Sequence, residues 1–451
     1  MSVRKRAAIN SSLLMTERVL GMGLGLGVNI LLARTLGADE FGGLNYVLAF
    51  VALLTPFFTL GLNALVTREL INRPEDDGLI LGSSCLARFG GGLVALTILG
   101  ALQLAGAGPT MLAGWVFLVA AGRVAMSFSV VEFWFHAKEE FRILVYFKVG
   151  TLLLLSAAKV YAVLAGFGLE GVLWVAASEW AIRSGLLGLG YLRLPERARS
   201  WRFDLTHSRF LLRKSSWLFF SGFASMIYLK IDQVMLGSFL NSTNVGEYAV
   251  ASRLSEAWYF LPTTIVTALF PALLKLRHKG SALYSTRLQD ILDLLFWIAF
   301  AVAGVVSLIA EPVVVLLYGD EYRAAGGILE IHVWAGLFIF MRALASKWLI
   351  AEDLLSFSLV THGVGAVANV VANLYLIPRY GGEGAAWATL ISYASSSYLA
   401  FFVARRTRPM AAMMSLAPLA PLRRLLQRGQ PRAGSKATES TKDTSTGADE
   451  D

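Results

Sequence analysis

The chain has 451 residues, 56% of them hydrophobic and 16% charged, against about 25% charged in an ordinary soluble domain. Apolar segments recur from Leu13 to Ala404 with short gaps, which excludes a water-soluble domain of normal size and, with it, a soluble enzyme. The net charge of +9 would point to nucleic acid in a soluble protein, but its placement here has another cause; the single Cys85 excludes an intrachain disulfide or a thiolate metal centre.

A bilayer-spanning helix needs about 20 mainly apolar residues, and that criterion yields an all-α polytopic membrane protein of twelve spans. The first six run over Leu13 to Ala33, Gly43 to Leu62, Gly82 to Ala105, Leu112 to Phe133, Lys148 to Phe167 and Gly171 to Leu192. The second six run over Ser216 to Gly237, Gly246 to Leu269, Leu288 to Ala310, Gly327 to Ile350, Leu355 to Ile377 and Gly384 to Val403. The start, "MSVRKRAAINSSLL", has the basic-then-apolar order of a signal peptide. Glu17 and Arg18 interrupt the run and no small-residue cleavage site ends it, so it reads as an uncleaved first span.

Two six-helix bundles are expected, over 1–192 and 216–404, joined by a basic connection, 193–215, and followed by a tail, 405–451. Lys and Arg gather on one set of connections, among them Arg68, Arg73, Lys138, Arg142, Arg193, Arg213, Lys275, Arg277, Arg405 and Arg406. The alternate set holds Arg34, Arg323 and Arg379. By the positive-inside rule both termini are then cytoplasmic, and the basic balance needs no nucleic acid. In the tail, "MAAMMSLAPLAPLRRLLQR" reads either as a surface-seated segment using its Met and Leu residues with Arg423, Arg424 and Arg428, or as a solvated stretch. The polar remainder, from Ala433, reads as disordered.

The halves carry a short internal match. Leu36, Phe41, Gly42 and Leu44 align at constant offset with Leu240, Val245, Gly246 and Tyr248, each set following the first span of its half. Parallel six-span repeats with a substrate site between them are a known transporter plan.

"GMGLGLG", Gly21 to Gly27, has the look of a phosphate-binding loop but lies within a span with no strand before it. Its GxxxG pairs, Gly21/Gly25 and Gly23/Gly27, predict close helix approach, as does "GGG" at Gly90 to Gly92. The five His residues are scattered and read as hydrogen-bonded packing residues rather than ligands.

Charges inside the spans are the informative feature, since each costs roughly 2.5 to 3.5 kcal/mol near the bilayer centre. Spans seven and eight form a hairpin that sets Asp232 level with Arg253 and Lys230 level with Glu256, which suggests two neutralising pairs. Lys230 and Asp232 are about 200° apart around the helix, so they cannot both face one way. Glu179 and Arg183 have the i,i+4 spacing of a self-pair. Arg123, Lys159 and Arg342 lie deep in their spans without an acid one turn away, whereas Arg18 and Arg88 are near enough to the ends to snorkel. The cations outnumber the acids, which fits an aqueous cavity for an anionic substrate, phosphate above all.

Four stretches, "ARTLGADEFGGLNY" (Ala33 to Tyr46), "DQVMLGSFLNSTNVGEYAVASRLSE" (Asp232 to Glu256), "LLYGDEYRAAGGILEI" (Leu316 to Ile331) and "NVVANLYLIPRYGGEGAAWATLIS" (Asn369 to Ser392), carry a resemblance. Together they resemble the polysaccharide biosynthesis proteins of the oligosaccharide flippase family. These are the Wzx-type members of the multidrug/oligosaccharidyl-lipid/polysaccharide exporter superfamily, and the similarity runs over essentially all twelve spans. The resemblance implies a V-shaped, MATE-like pair of bundles working by alternating access. Its implied activity moves an undecaprenyl-diphosphate-linked oligosaccharide from the cytoplasmic to the outer leaflet of the bacterial inner membrane. It implies no cofactor, coupling to a proton or sodium gradient, and polymerase and chain-length proteins as pathway partners. Asp232 matches the acidic position common in the family's seventh span, and Arg253 the basic position of the eighth-span motif. The resulting site set is Arg18, Arg123, Lys159, Lys230, Asp232, Arg253 and Arg342 for the cavity, with Asp232 and Glu256 as coupling candidates against a plain salt-bridge role. A multidrug extruder, a lipid-linked peptidoglycan precursor flippase and a membrane enzyme of polysaccharide assembly are the rival readings.

Overall fold

The computed structural model describes residues 3–194, 200–278, 283–354 and 356–428. The expected disordered end, from Ala433, lies outside them. Every regular element among the described residues is a helix, and eight helical stretches are long and apolar enough to cross a bilayer.

Two of those eight each supply two spans. Val3–Leu53 has 51 residues, about 75 Å as a straight rod against a hydrocarbon core of about 30 Å. It breaks at Gly37, whose φ of 75° is left-handed and unavailable to most L residues without strain. Phe357–Ser397 breaks in the same manner at Gly381 (φ 55°), three residues after Pro378. Two further helices, Gly168–Leu192 and Leu205–Phe239, have spanning length but carry Glu179 and Arg183, or Lys230 and Asp232, within their apolar runs. Twelve spans result among the described residues.

In chain order, span 1 and the start of span 2 are the two parts of Val3–Leu53, and span 2 continues through Thr55–Thr59 and Asn63–Asn72. Span 3 is Asp77–Leu104. Span 4 is Ala113–Arg123, a 3₁₀ stretch Val124–Val130 and Val131–Ala137. Spans 5 and 6 are Phe141–Leu164 and Gly168–Leu192. Span 7 is Leu205–Phe239, span 8 Ser242–Glu256 with Phe260–His278, span 9 Leu283–Tyr318, and span 10 Ala325–His332 with Ala335–Ala351. Spans 11 and 12 divide Phe357–Ser397 at Gly381. We call the membrane side that carries the Arg- and Lys-rich connections the basic face, and the other side the turn face.

The connection expected over 193–215 is, in its described part, packed structure. Asp204 caps span 7 by accepting from the amides of Thr206 and His207, which holds its carboxyl below the usual range. Ser208 Oγ donates to Ser83 O at 2.9 Å, Lys214 lies 3.2 Å from Glu69, and Leu211 is buried among first-half residues such as Leu62 and Ile80. The other end of the same unbroken helix is buried in the second half around Asp232. Span 7 therefore belongs to both halves.

The tail reading is corrected for two of its methionines and for Arg423, while Leu416, Leu419, Leu422 and Leu425 remain exposed. Met410 and Met414 do not face outward but fill the second-half core beside Phe401 and Leu292. Arg423 reaches the buried Asp293 of span 9 at 2.5 Å.

Candidate functional site: a cationic cavity between the halves

A cavity of about 540 Å³ lies where span 1 faces spans 7 and 8. Its first-half wall is the glycine run, Gly21, Gly23 and Gly25, with Val19 and Leu26; its second-half wall includes Lys230, Gln233, Ser252, Arg253 and Glu256. The expected use of the glycines as close-packing contacts is overturned, because a Cβ at Gly23, Gly25 or Gly27 would meet nothing within 4 Å. The missing side chains of Gly23 and Gly25 leave room for the cavity. Close approach occurs instead at Gly91, where a Cβ would strike the Phe57 carbonyl of span 2.

The two expected neutralising pairs do not form. Among the described residues neither Lys230 nor Arg253 has an acidic partner within ion-pair distance, and Glu256 lines the same wall. Equal depth in a hairpin fixes height, but helical phase fixes direction. Lys230 points at the cavity, and Asp232, on the opposite side of span 7, points into the second half.

Asp232 is 2% exposed and is held by neutral groups alone. Tyr248 OH of span 8 and Thr389 Oγ1 of span 12 each lie 2.8 Å from Oδ2, and Asn373 Nδ2 of span 11 lies 2.5 Å from Oδ1. Asn373 Nδ2 also reaches Asn369 Oδ1 at 3.0 Å, which leaves Asn373 Oδ1 buried without a hydrogen-bond partner. A buried carboxylate ringed by two hydroxyls and an amide N–H, with no fixed cation, is a group that can take up a proton, and its oxygens with the neighbouring hydroxyl and amide oxygens are the ligand types of a hard cation. Sequence reasoning missed these partners, although Asn369 and Asn373, one helical turn apart in an apolar span, were a readable signal.

The other expected cavity residues are elsewhere. Arg123 donates to Thr55 Oγ1 at 2.9 Å inside the first half. Lys159 lies 3.2 Å from Glu179 of the neighbouring span, which corrects both its expected lack of an acid and the expected Glu179–Arg183 self-pair. Arg183 instead sits over the Trp180 ring, 5.1 Å from its centroid. Arg342 is bound by neutral acceptors between spans 10, 11 and 12. Arg18 is exposed on span 1, next to Val19 of the cavity wall. Arg88 does not snorkel: it is 1% exposed, donates to Phe58 O at 3.0 Å and faces the Phe133 ring.

At the turn face the halves are sealed together. Gly42 and Gly246, the matched pair of the internal repeat, abut so closely that a Cβ at Gly42 would fall on the Ser242 carbonyl and one at Gly246 on the Ala38 carbonyl. Around them Arg34 donates to Leu317 O at 2.8 Å, Ala38 N–H donates to Glu321 at 2.7 Å, Tyr322 OH donates to Ala33 O at 3.0 Å, and Ser242 bonds Asp39. The cavity lies on the basic side of this seam.

Residues 7–277, more than half of the sequence, match the family model described as Polysaccharide biosynthesis protein. The chain belongs to that family. Among curated relatives, "Probable flippase AglR" of Haloferax volcanii is 29% identical over 39% of this chain and 37% of its own length. "Probable low-salt glycan biosynthesis flippase Agl15" of the same organism is 22% identical over 43% of this chain and 41% of its own. The match thus spans about two fifths of each relative. Among solved structures, "Lipid II flippase MurJ, inward closed conformation" superposes with TM-score 0.69 at 13% identity, covering 94% of both chains. An inward-facing multidrug resistance MATE family transporter of the MOP superfamily gives 0.64 at 13%, over 90% of this chain and 96% of that one. At such identities these likenesses establish the fold alone: an all-helical, multi-pass membrane protein built like MurJ and MATE transporters.

Proposed function

We propose that this family member is a flippase for a lipid-linked oligosaccharide whose anionic link, of the undecaprenyl-diphosphate type, is taken up by Lys230 and Arg253. One observation carries this reading: two cations with no ion pair among the described residues share the wall of a cavity between the halves, where they face a single lining acid, Glu256. Such charges inside a membrane protein require water or an anion, and the cavity volume lies within the range of about 300–1,000 Å³ typical of ligand pockets. The flippase names of the curated relatives support the same class of cargo. With the basic face cytoplasmic in a bacterial inner membrane, the cavity is reached from inside while the turn-face seam is closed. Alternating access then means parting the Gly42–Gly246 seam and closing the basic side, with the prenyl chain left in lipid.

Asp232 is the coupling site of this proposal. A sodium ion there, or a proton on Asp232 with the Asn373 amide turned over to accept it, would engage the orphaned Asn373 oxygen, and spans 7, 8, 11 and 12, which meet at it, would respond to its arrival. Glu256 lies on the cavity wall beside Arg253, apart from the Asp232 shell, and has no part in the proposed ion site. Polymerase and chain-length proteins of the same pathway are the proposed partners.

The test is transfer of a fluorescent undecaprenyl-diphosphate oligosaccharide in proteoliposomes, followed by an external quencher with and without proton or sodium gradients. Gradient-stimulated transfer supports the reading. Extrusion of a cationic dye with no lipid transfer would replace it with the multidrug alternative.

A further inference from the structure

The Asp232 cluster continues toward the basic face as a column of polar side chains through the second half. One turn along span 7 lies Tyr228; on span 11 His362 is seven residues from Asn369, about 10 Å along the axis; on span 12 Ser396 is the same distance from Thr389. Tyr228 OH is 3.1 Å from His362 Nδ1, with the two rings stacked at 5.6 Å, and its ring meets Tyr393 edge-on at 5.7 Å. Between the two layers Ser392 Oγ donates to Gly365 O at 2.9 Å and ties spans 11 and 12 together.

Arg342 of span 10 ends this column. Its guanidinium donates to Ser396 O and Thr361 Oγ1, each at 2.9 Å, and to Ser346 Oγ and His362 Nε2, each at 3.3 Å. No carboxylate among the described residues lies within ion-pair distance of it. A half-buried charge held only by neutral groups is costly in a membrane protein and marks a function.

The hydrogen-bond directions say which function. Arginine only donates, so His362 Nε2 must accept, and the proton of the neutral imidazole lies on Nδ1, directed at the Tyr228 oxygen. A second proton on His362 would set an N–H against the guanidinium N–H groups and place two positive charges side by side. A metal ion moving along the column would meet the same fixed charge. Arginines that bar cations from otherwise passable polar pathways are a known device in membrane pores.

We infer that Arg342 is an electrostatic plug that closes the Asp232 column to protons and small cations on the basic side. An ion on Asp232 then cannot run down its gradient through the second half without movement of the two halves. This inference rests on the coupling role proposed for Asp232.

The experiment uses the full chain in liposomes without lipid substrate, with trapped pH and sodium indicators and a potassium-valinomycin potential driving cations inward. Wild-type vesicles should be tight. R342Q should raise proton or sodium entry at least tenfold, R342K should stay tight because it keeps the charge, and D232N/R342Q should return to the wild-type rate. Each variant is used only if monodisperse with a wild-type-like melting temperature. R342M, which leaves no polar group in place of the guanidinium, is read in the same way if R342Q does not survive purification. A folded R342Q or R342M as tight as wild type, an R342K as leaky as R342Q, or a leak that persists in D232N/R342Q overturns the plug. Gradient-stimulated lipid transfer by the wild type, and its loss in D232N, test the coupling reading separately in the same vesicles.

Discussion

The carboxylates tell the two halves apart: in the first half Glu179 holds Lys159 at 3.2 Å, and Glu132 pairs with Lys148 while His136 stands 3.6 Å from it, although Arg88 and Arg123 of the same half bind neutral acceptors. In the second half Asp232 takes three neutral donors and Arg342 serves four neutral acceptors. A charge with a fixed opposite partner is structural, since removing one member strands the other. A charge held by hydroxyls, amides and carbonyls keeps its field unneutralised and can exchange a proton or ion without leaving a stranded partner. The paired carboxylates Glu132 and Glu179 are accordingly braces, whereas Asp232, held by neutral donors, is the responsive group.

Four changes would break or sharpen this contrast. Asp232→Asn keeps the shape and most hydrogen bonds of the shell but removes the charge. It should abolish gradient stimulation of lipid transfer, at least tenfold, with the melting temperature nearly unchanged. Gly42→Val forces a side chain onto the Ser242 carbonyl, so the turn-face seam should not close. Spin-label distances across residues 38 and 242 should lengthen and transfer should fall severalfold.

Glu179→Gln strands Lys159. Because both side chains are about a quarter exposed, the loss should be about 1–3 kcal/mol, below the 3–5 kcal/mol of a fully buried pair. The Lys159→Met/Glu179→Leu double variant should recover that stability in a thermal melt and flip lipid at the wild-type rate.

The smallest effect concerns Asp204. Its folded carboxyl is held below the ordinary range by the amides of Thr206 and His207. The cap therefore contributes stability above the unfolded value of about 3.9, and that contribution disappears as pH falls through the folded value. Asp204→Ala should give a small drop in melting temperature at neutral pH and none in strong acid.

The spans and the two-half plan were legible in the sequence because a 20-residue apolar run has few alternatives to crossing a bilayer. The Gly42/Gly246 offset was legible too, and it marks the seam. Azimuth was not. Hairpin depth set Asp232 opposite Arg253, yet the rotation of span 7 turned it toward Tyr248, Thr389 and Asn373, which lie 16, 157 and 141 residues away. Lys159 looked partnerless because its acid comes from the next helix rather than the next turn. The glycines of span 1 had two uses open to them, contact or space, and only the position of span 8 decides between these. The basic connection looked loose because its anchors, Ser83 and Glu69, are in the first half, well over a hundred residues back.

The central claim is that unpartnered cavity cations, not paired ones, take the anionic headgroup. The most direct measurement compares lipid transfer by K230Q/R253Q with transfer by K159M/E179L in the same proteoliposomes, at matched protein density and melting temperature. The account predicts at least a tenfold loss in the first and wild-type transfer in the second. Equal transfer by wild type and K230Q/R253Q, or loss confined to K159M/E179L, would contradict it.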